Sequence, residues 1–169
     1  MEKIATYDTD GSSSSMSFTN IPTDKYKHLV FMIGSFGTVG STSRGNITFT
    51  FNNNSSGYKS TAVVHVLING TVYNEAYNYS GSNIGVGYNK ISNQQTFGGT
   101  WHIMNAGSAS AGKSVIAQLG SRTGTSTEMY GVELQTGTWT NTSAITSIEI
   151  SFGTPIAVGG VISLYGIKG

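Results

Sequence analysis

Short runs of β-branched and aromatic residues recur along the whole chain, separated by clusters of Gly, Ser, Thr and Asn. Runs of this length, bounded by turn-forming residues, predict β-strands joined by tight turns. The residue choice agrees, because Ile, Val and Thr favour strands and number 47 of 169 residues, whereas the helix former Leu occurs only 5 times. We therefore expect an all-β protein in which helices are nearly absent.

The number of predicted strands indicates the architecture. About ten short strands in one sheet would leave a face uncovered, so we predict an antiparallel, jelly-roll-like β-sandwich. A chain of 169 residues has the usual size of one domain, and we expect that domain to span residues 1–169. The strands are predicted at residues 2–9, 14–20, 28–36, 46–52, 61–68, 97–105, 114–119, 128–135, 144–152 and 161–167.

Individual runs predict which strand faces are buried. In NITFTF, Ile47, Phe49 and Phe51 alternate with polar residues, so one face of this strand is core and the other is wet. The runs at 28–36 and 61–68 are almost continuously apolar, which predicts cover on both faces, by a loop or by a neighbouring subunit. Residues 69–96 are the least regular and predict a hairpin followed by an excursion over the surface.

Composition excludes several classes of function. A net charge of +1 with two Arg leaves few cations for a phosphate backbone, so nucleic acid is not an expected partner. The absence of Cys excludes disulfides and thiolate sites. The charged start MEKIATYDTDG is unlike a signal peptide, and no run approaches the ~18 apolar residues that cross a bilayer. We expect a soluble protein without an export signal and without membrane insertion.

One segment matches a nucleotide-binding motif. From Gly107 to Ser114 the sequence reads G-x-x-x-x-G-K-S, with Lys113 at the lysine position. A phosphate-binding loop needs a helix after it and a carboxylate for magnesium. The following SVIAQLG is β-branched and short, and all three Asp lie in the first 24 residues. We therefore interpret the segment as a hairpin turn and keep an NTPase only as a remote alternative.

The remaining ionisable residues do not form a catalytic or metal-binding pattern. His28, His65 and His102 are far apart in sequence and lack the short spacing of metal ligands. His65 lies in an apolar run and is interpreted as a hydrogen-bonded core or interface residue. Asp8 and Asp10 are expected to shape a turn. We predict no catalytic residue, no metal and no cofactor.

Residues 73–88 hold four Tyr among Asn, Ser and Gly. Flat amphipathic rings beside amide and hydroxyl groups can bind sugars or a protein partner. The same rings can also cover a sheet or pack against a symmetry mate, which we favour. Tyr77, Tyr79 and Tyr88 remain the candidate contacts for a glycan or a partner protein.

Both ends of the chain carry more specific motifs. They are FTNIP at residues 18–22, YKHLV at 26–30, Trp139 followed by TSAITSIEI at 142–150, and ISLYGIKG at 162–169. The chain resembles a family of small bacteriophage virion proteins and appendage domains that end in a Leu-Tyr-Gly-Ile-Lys-Gly tail. The resemblance covers most of the chain and is strongest at the two ends.

The resemblance implies a non-enzymatic component of the outer surface of a virion, in contact with other capsid or tail proteins. Members of the family lie on tail fibres, at fibre tips, and as head fibres or capsid decorations. Because the predicted strands start within the first few residues, we expect no N-terminal shaft of the kind that long fibres carry, which favours a self-contained subunit. Exposed sheet edges would be covered in a symmetric oligomer, and we expect a homotrimer. Host-glycan recognition by the tail is the alternative function.

Overall fold

The computed structural model describes residues 1–37, 45–68, 71–89, 95–123, 129–153, 155–156 and 158–169, and these residues form strands and turns without a helix. The all-β prediction is confirmed. The strands are β1 (Glu2–Asp8), β2 (Ser15–Phe18), β3 (His28–Phe36), β4 (Gly45–Phe51), β5 (Tyr58–Ile68), β6 (Thr71–Gly81), β7 (Ile84–Asn89), β8 (Gln95–Met104), β9 (Lys113–Thr123), β10 (Met129–Trp139), β11 (Ile148–Ser151) and β12 (Val161–Ile167).

The strands form two antiparallel sheets. The large sheet has eight strands in the order β1-β12-β3-β8-β9-β10-β5-β6, and the small sheet has four in the order β2-β11-β4-β7. One cluster of buried side chains fills the space between them. The β-sandwich is confirmed, whereas the jelly roll is not, because strands divided eight to four differ from the paired Greek keys of that fold.

Aromatic rings fill the centre of the sandwich. Phe49 of the small sheet and Trp101 of the large sheet meet edge to face, with ring centres 4.9 Å apart. The indole N–H of Trp101 donates to the carbonyl of Val86 at 2.9 Å, so this buried polar group is satisfied. Ile47, Phe49 and Phe51 are all fully buried, as the alternation in NITFTF predicts.

The excursion predicted for residues 69–96 is wrong in its second half. The hairpin exists, since β5 and β6 pair along eleven residues each. The following β7, however, belongs to the small sheet, where Ile84 and Val86 are fully buried. The alternating positions of β7 are occupied by Gly85 and Gly87, and such glycines resemble a turn signal in the sequence.

Two further predictions need correction. The strand predicted over 144–152 is limited to β11, because the Asn52 side chain accepts hydrogen bonds from the backbone N–H groups of Thr146 and Ser147, at 2.8 and 3.1 Å, and holds them outside the ladder. On β5, the described residues do not provide the predicted cover by a loop on the outward face, and cover by a neighbouring subunit stays a prediction. Val64 faces the core, whereas its neighbour Val63 is 57% exposed.

Candidate contact surface

The predicted tyrosine contacts lie on two edge strands. Tyr77 and Tyr79 pair with Ala62 and Ser60 in the β5–β6 hairpin, and Tyr88 lies on β7. β6 is the last strand of the large sheet and β7 is the last strand of the small sheet. The two strands follow each other in the chain and contact each other. The side chains of these three tyrosines lie outside the part of the structure that is described, so their role in glycan binding stays a prediction.

The segment that matches a phosphate loop is a turn between β8 and β9. Strand β9 begins at Lys113, in the place where a phosphate loop would start a helix. The Oγ of Ser108 accepts hydrogen bonds from the backbone N–H groups of Ser110 and Ala111 and closes the turn. The hairpin-turn interpretation of residues 107–114 therefore agrees with the structure.

The side chain of Lys113 connects this turn by hydrogen bonds to the segment that contains Thr142. Its side chain is only 1% exposed, and its Nζ donates to the carbonyls of Ser108 at 2.8 Å, Ala111 at 2.6 Å and Thr142 at 2.9 Å. Burial lowers the pKa of Lys113 from its ordinary value. An ammonium group has three donors, and all three are used inside the protein.

The three imidazoles are not brought together. His28 accepts a hydrogen bond from the backbone N–H of Asn105 at 3.1 Å, and His65 is hydrogen-bonded to Asn74 at 2.6 Å across β5 and β6. The second bond confirms that His65 is hydrogen-bonded, but His65 is exposed, so the core alternative is wrong, whereas the interface alternative stays a prediction. Within the described ranges, no three His, Asp or Glu side chains are grouped in a way that could hold a metal ion.

Asp10 shapes a turn, as predicted. One carboxylate oxygen accepts the backbone N–H groups of Ser12 and Ser13, each at 2.9 Å, and the other accepts the Ser13 hydroxyl at 3.0 Å. Hydrogen bonds to the charged form lower the pKa of Asp10 from 3.8 to about 2. Asp8 ends β1, where it pairs with Val161.

The two terminal motifs meet in the fold. The buried ring of Tyr26 lies directly against Gly166, where a Cβ would come within 2.3 Å of the tyrosine Cγ. The backbone N–H of Lys27 donates to the carbonyl of Ile167 at 2.9 Å. The residues of YKHLV and LYGIKG therefore have a structural role, since they hold the two ends of the chain together.

The outward side of β5, β6, β9 and β10 forms an exposed aliphatic patch, which we call the neutral face. At its centre Val63 lies opposite Leu134, and Val132 follows two residues along β10 on the same side. These side chains are 57%, 46% and 64% exposed. Val72 of β6 and Ile116 of β9 extend the patch on either side. The continuously apolar run at 61–68 was the sequence signal for a covered surface, although it did not show which face was involved.

Two shallow grooves flank this aliphatic centre. One has a volume of about 680 Å³ and is lined by residues that include Thr61, Ile116 and Thr136. The other has a volume of about 530 Å³ and runs along Thr100, Gln118 and the flank of Leu134. The neutral face therefore has a raised aliphatic ridge between two depressions, a relief into which another protein surface can interlock.

Comparison of the chain with protein-family models, with curated proteins and with solved structures finds no match. The described ranges also contain no helix that is long and apolar enough to cross a membrane.

Proposed function

We propose that this chain is a non-enzymatic structural subunit on the outer surface of a bacteriophage particle, on the capsid or on the tail, in contact with other virion proteins. The proposal takes its virion assignment from the terminal motifs FTNIP, YKHLV and ISLYGIKG. The observation that carries the contact role is the neutral face, because a soluble domain that exposes neighbouring aliphatic side chains usually covers them with a partner.

The internal use of the polar groups also supports a structural role. Lys113 of the nucleotide-like motif binds three carbonyls, and the Asp10 carboxylate binds the turn that follows it. Groups engaged in this way stabilise backbone turns, and releasing Lys113 for a phosphate would leave three carbonyls without their donor.

The proposal is tested on particles of the phage that encodes this chain. Mass spectrometry of purified virions should detect the protein, and purified protein should sediment with particles from which it has been deleted. Absence from virions together with failure to sediment with them would refute the proposal. Cryo-electron microscopy of the particle would then distinguish a capsid position from a tail position.

Host-glycan recognition is a second candidate, favoured by the contact between β6 and β7, which carry Tyr77, Tyr79 and Tyr88. Sugar-binding sites use tyrosine rings of this kind beside amide and hydroxyl groups. A glycan-array signal of the wild-type protein that disappears when all three tyrosines are changed to Ala would support this function. A wild-type protein that binds no glycan would count against it.

A nucleotide-binding assay tests the remote enzymatic alternative. We expect no ATP binding by the wild-type chain, because all three donors of the Lys113 ammonium are occupied. ATP binding that is lost in Lys113→Ala but kept in Lys59→Ala would overturn the non-enzymatic proposal. Circular dichroism of both variants shows whether a loss reflects the missing lysine or an unfolded protein.

A further inference from the structure

We propose that a second copy of this chain packs on the neutral face, with the two faces related by a twofold axis. The inference does not rest on the virion assignment, because it uses only the shape and chemistry of this surface. It identifies the face, its partner and its symmetry.

The chemistry of the neutral face is that of an interface core. Such cores are depleted of charged residues and rich in apolar contact area. Among the outward side chains that the structure describes on these four strands, only Lys59 carries a permanent charge, and it lies near one end of β5, opposite Thr138. Two such faces can therefore approach each other without strong repulsion at the centre.

The relief of the face is complementary to itself. The ridge of Val63 and Leu134 lies between the two grooves, whose lining is mostly small or uncharged, as at Thr61, Thr136 and Gly120, with Lys59 in one groove and the buried Glu133 in the other. When two copies are placed face to face and displaced sideways, the ridge of each can enter a groove of the other. Sheets that pack in this way lie about 10 Å apart with interdigitated side chains.

The area is sufficient for a stable pair. Each of the four strands has eleven residues. At about 3.4 Å per residue and about 4.8 Å between strands, the face measures roughly 37 by 19 Å, or about 700 Å². Specific interfaces bury about 800 Å² per partner. A second copy would therefore cover nearly the whole neutral face.

The other classes of partner fit less well. The described side chains of the neutral face include no Tyr, Trp or Phe ring on which a sugar could stack, and the exposed imidazole of His65, opposite Val132, is hydrogen-bonded to Asn74. One lysine is too little for a polyanion. A twofold symmetry needs only one contact patch on each copy, because the same patch is used on both copies. A trimer would need two different contact surfaces on each copy, and the exposed aliphatic residues of the neutral face form one.

Sedimentation equilibrium of the purified wild-type chain, from about 1 to about 100 µM, tests the inference. We expect a mass that rises to twice 17.8 kDa. We expect Val63→Lys to weaken pairing more than about tenfold, because it places a charge in the centre of the contact. Association that is not weakened by about 1 M NaCl would agree with an apolar contact.

Val161→Lys is the matched control. Val161 is an exposed valine on the outward side of the same sheet, but it lies on β12 opposite Asp8, far along the strand order from the neutral face. This variant should pair like the wild type. Leu134→Lys is the second test variant, and the circular dichroism spectrum of each variant shows that it is folded.

Three results would overturn the proposal. The first is a wild-type chain that stays monomeric over the whole concentration range. The second is a mass of three copies, which would favour the trimer expected from the sequence. The third is pairing that survives both Val63→Lys and Leu134→Lys. Such pairing would use another surface, such as the exposed edge of β6, which does not involve those side chains.

Discussion

The two halves of the large sheet present different outer surfaces. On the half formed by β1, β12 and β3, the exposed residues are mixed, with Lys3, Thr6 and Asp8 on β1 as well as Met32 and Val161. The Thr6 and Ser163 hydroxyls are hydrogen-bonded at 3.1 Å. On the half formed by β9, β10, β5 and β6, the exposed centre consists of valine and leucine. Both halves cover the same core on the inner side. The inner side therefore determines the fold, while the outer side is free to differ according to what each half contacts.

The edges of the sheet differ in the same way. The edge strand β1 carries charges at both ends, and its register shifts between Lys3 and Ala5, features that discourage pairing with another chain. At the other edge, β6 pairs with β5 through eleven residues without a shift. Apart from tyrosines, the one ionisable residue of β6 is Glu75. The half formed by β1, β12 and β3, here called the charged half, therefore has edge features that discourage association. The half formed by β9, β10, β5 and β6, here called the neutral half, does not have them along the described β6 edge.

The largest effect should separate the inner side of the neutral half from its outer side. Leu119→Ala removes a buried side chain from β9 and should lower the free energy of unfolding by about 3 kcal/mol. Leu134→Ala makes the same change on the outer side, where the side chain is 46% exposed, and should cost less than about 0.5 kcal/mol in the isolated chain.

Urea unfolding at low protein concentration measures both changes without a contribution from association. Equal losses in the two leucine variants would show that the outer side also supports the fold of the single chain. The distinction between the two sides of the sheet would then be wrong.

The sequence predicted the inner side better than the outer side. Phe49 and Phe51 were assigned to the core from alternation alone, because a two-residue period identifies the buried face of a strand. The exposure of Val63 could not be predicted from alternation, because a continuously apolar run does not show which of its two faces is covered within the chain. Ile84 and Val86 were missed because the GVG segment at residues 85–87 resembled a turn.

The candidate site was predictable only in part. The spacing around Lys113 could be interpreted correctly as a turn from the β-branched residues that follow it. Its three carbonyl partners depend on the placement of Thr142, 29 residues later, and no local pattern shows that contact. The neutral face likewise arises from residues of four strands that come together only in the folded sheet.

A smaller effect should distinguish tight packing in the charged half from open space in the neutral half. Gly166→Ala places a methyl group against the Tyr26 ring and should destabilise the protein by about 2 kcal/mol. Gly120→Ala is the matched control, because no atom lies within 4 Å of a Cβ at that position.

Thermal unfolding of the two glycine variants at low protein concentration, without a contribution from association, provides the comparison. Gly120→Ala should be as stable as the wild type or slightly more stable, since glycine is unfavourable inside a strand. If Gly166→Ala behaved in the same way, the two terminal motifs would not be packed against each other as described.

The smallest effect concerns acid, which should act on the turn after β1 and leave the neutral face unchanged. The folded pKa of Asp10 is about 2, below its ordinary value of 3.8, so its contribution to stability is present above about pH 4 and is lost as the pH falls through about 2. Asp10→Asn should therefore be less stable than the wild type at neutral pH, and the difference should shrink between pH 4 and 2.

Ser13→Ala, which removes one of the three hydrogen bonds to Asp10, should show a weaker form of the same dependence. Urea unfolding at several pH values measures these differences, and parallel curves for Asp10→Asn and the wild type would contradict the assigned cause. Val132→Ala should show no such pH dependence, because it removes no ionisable group.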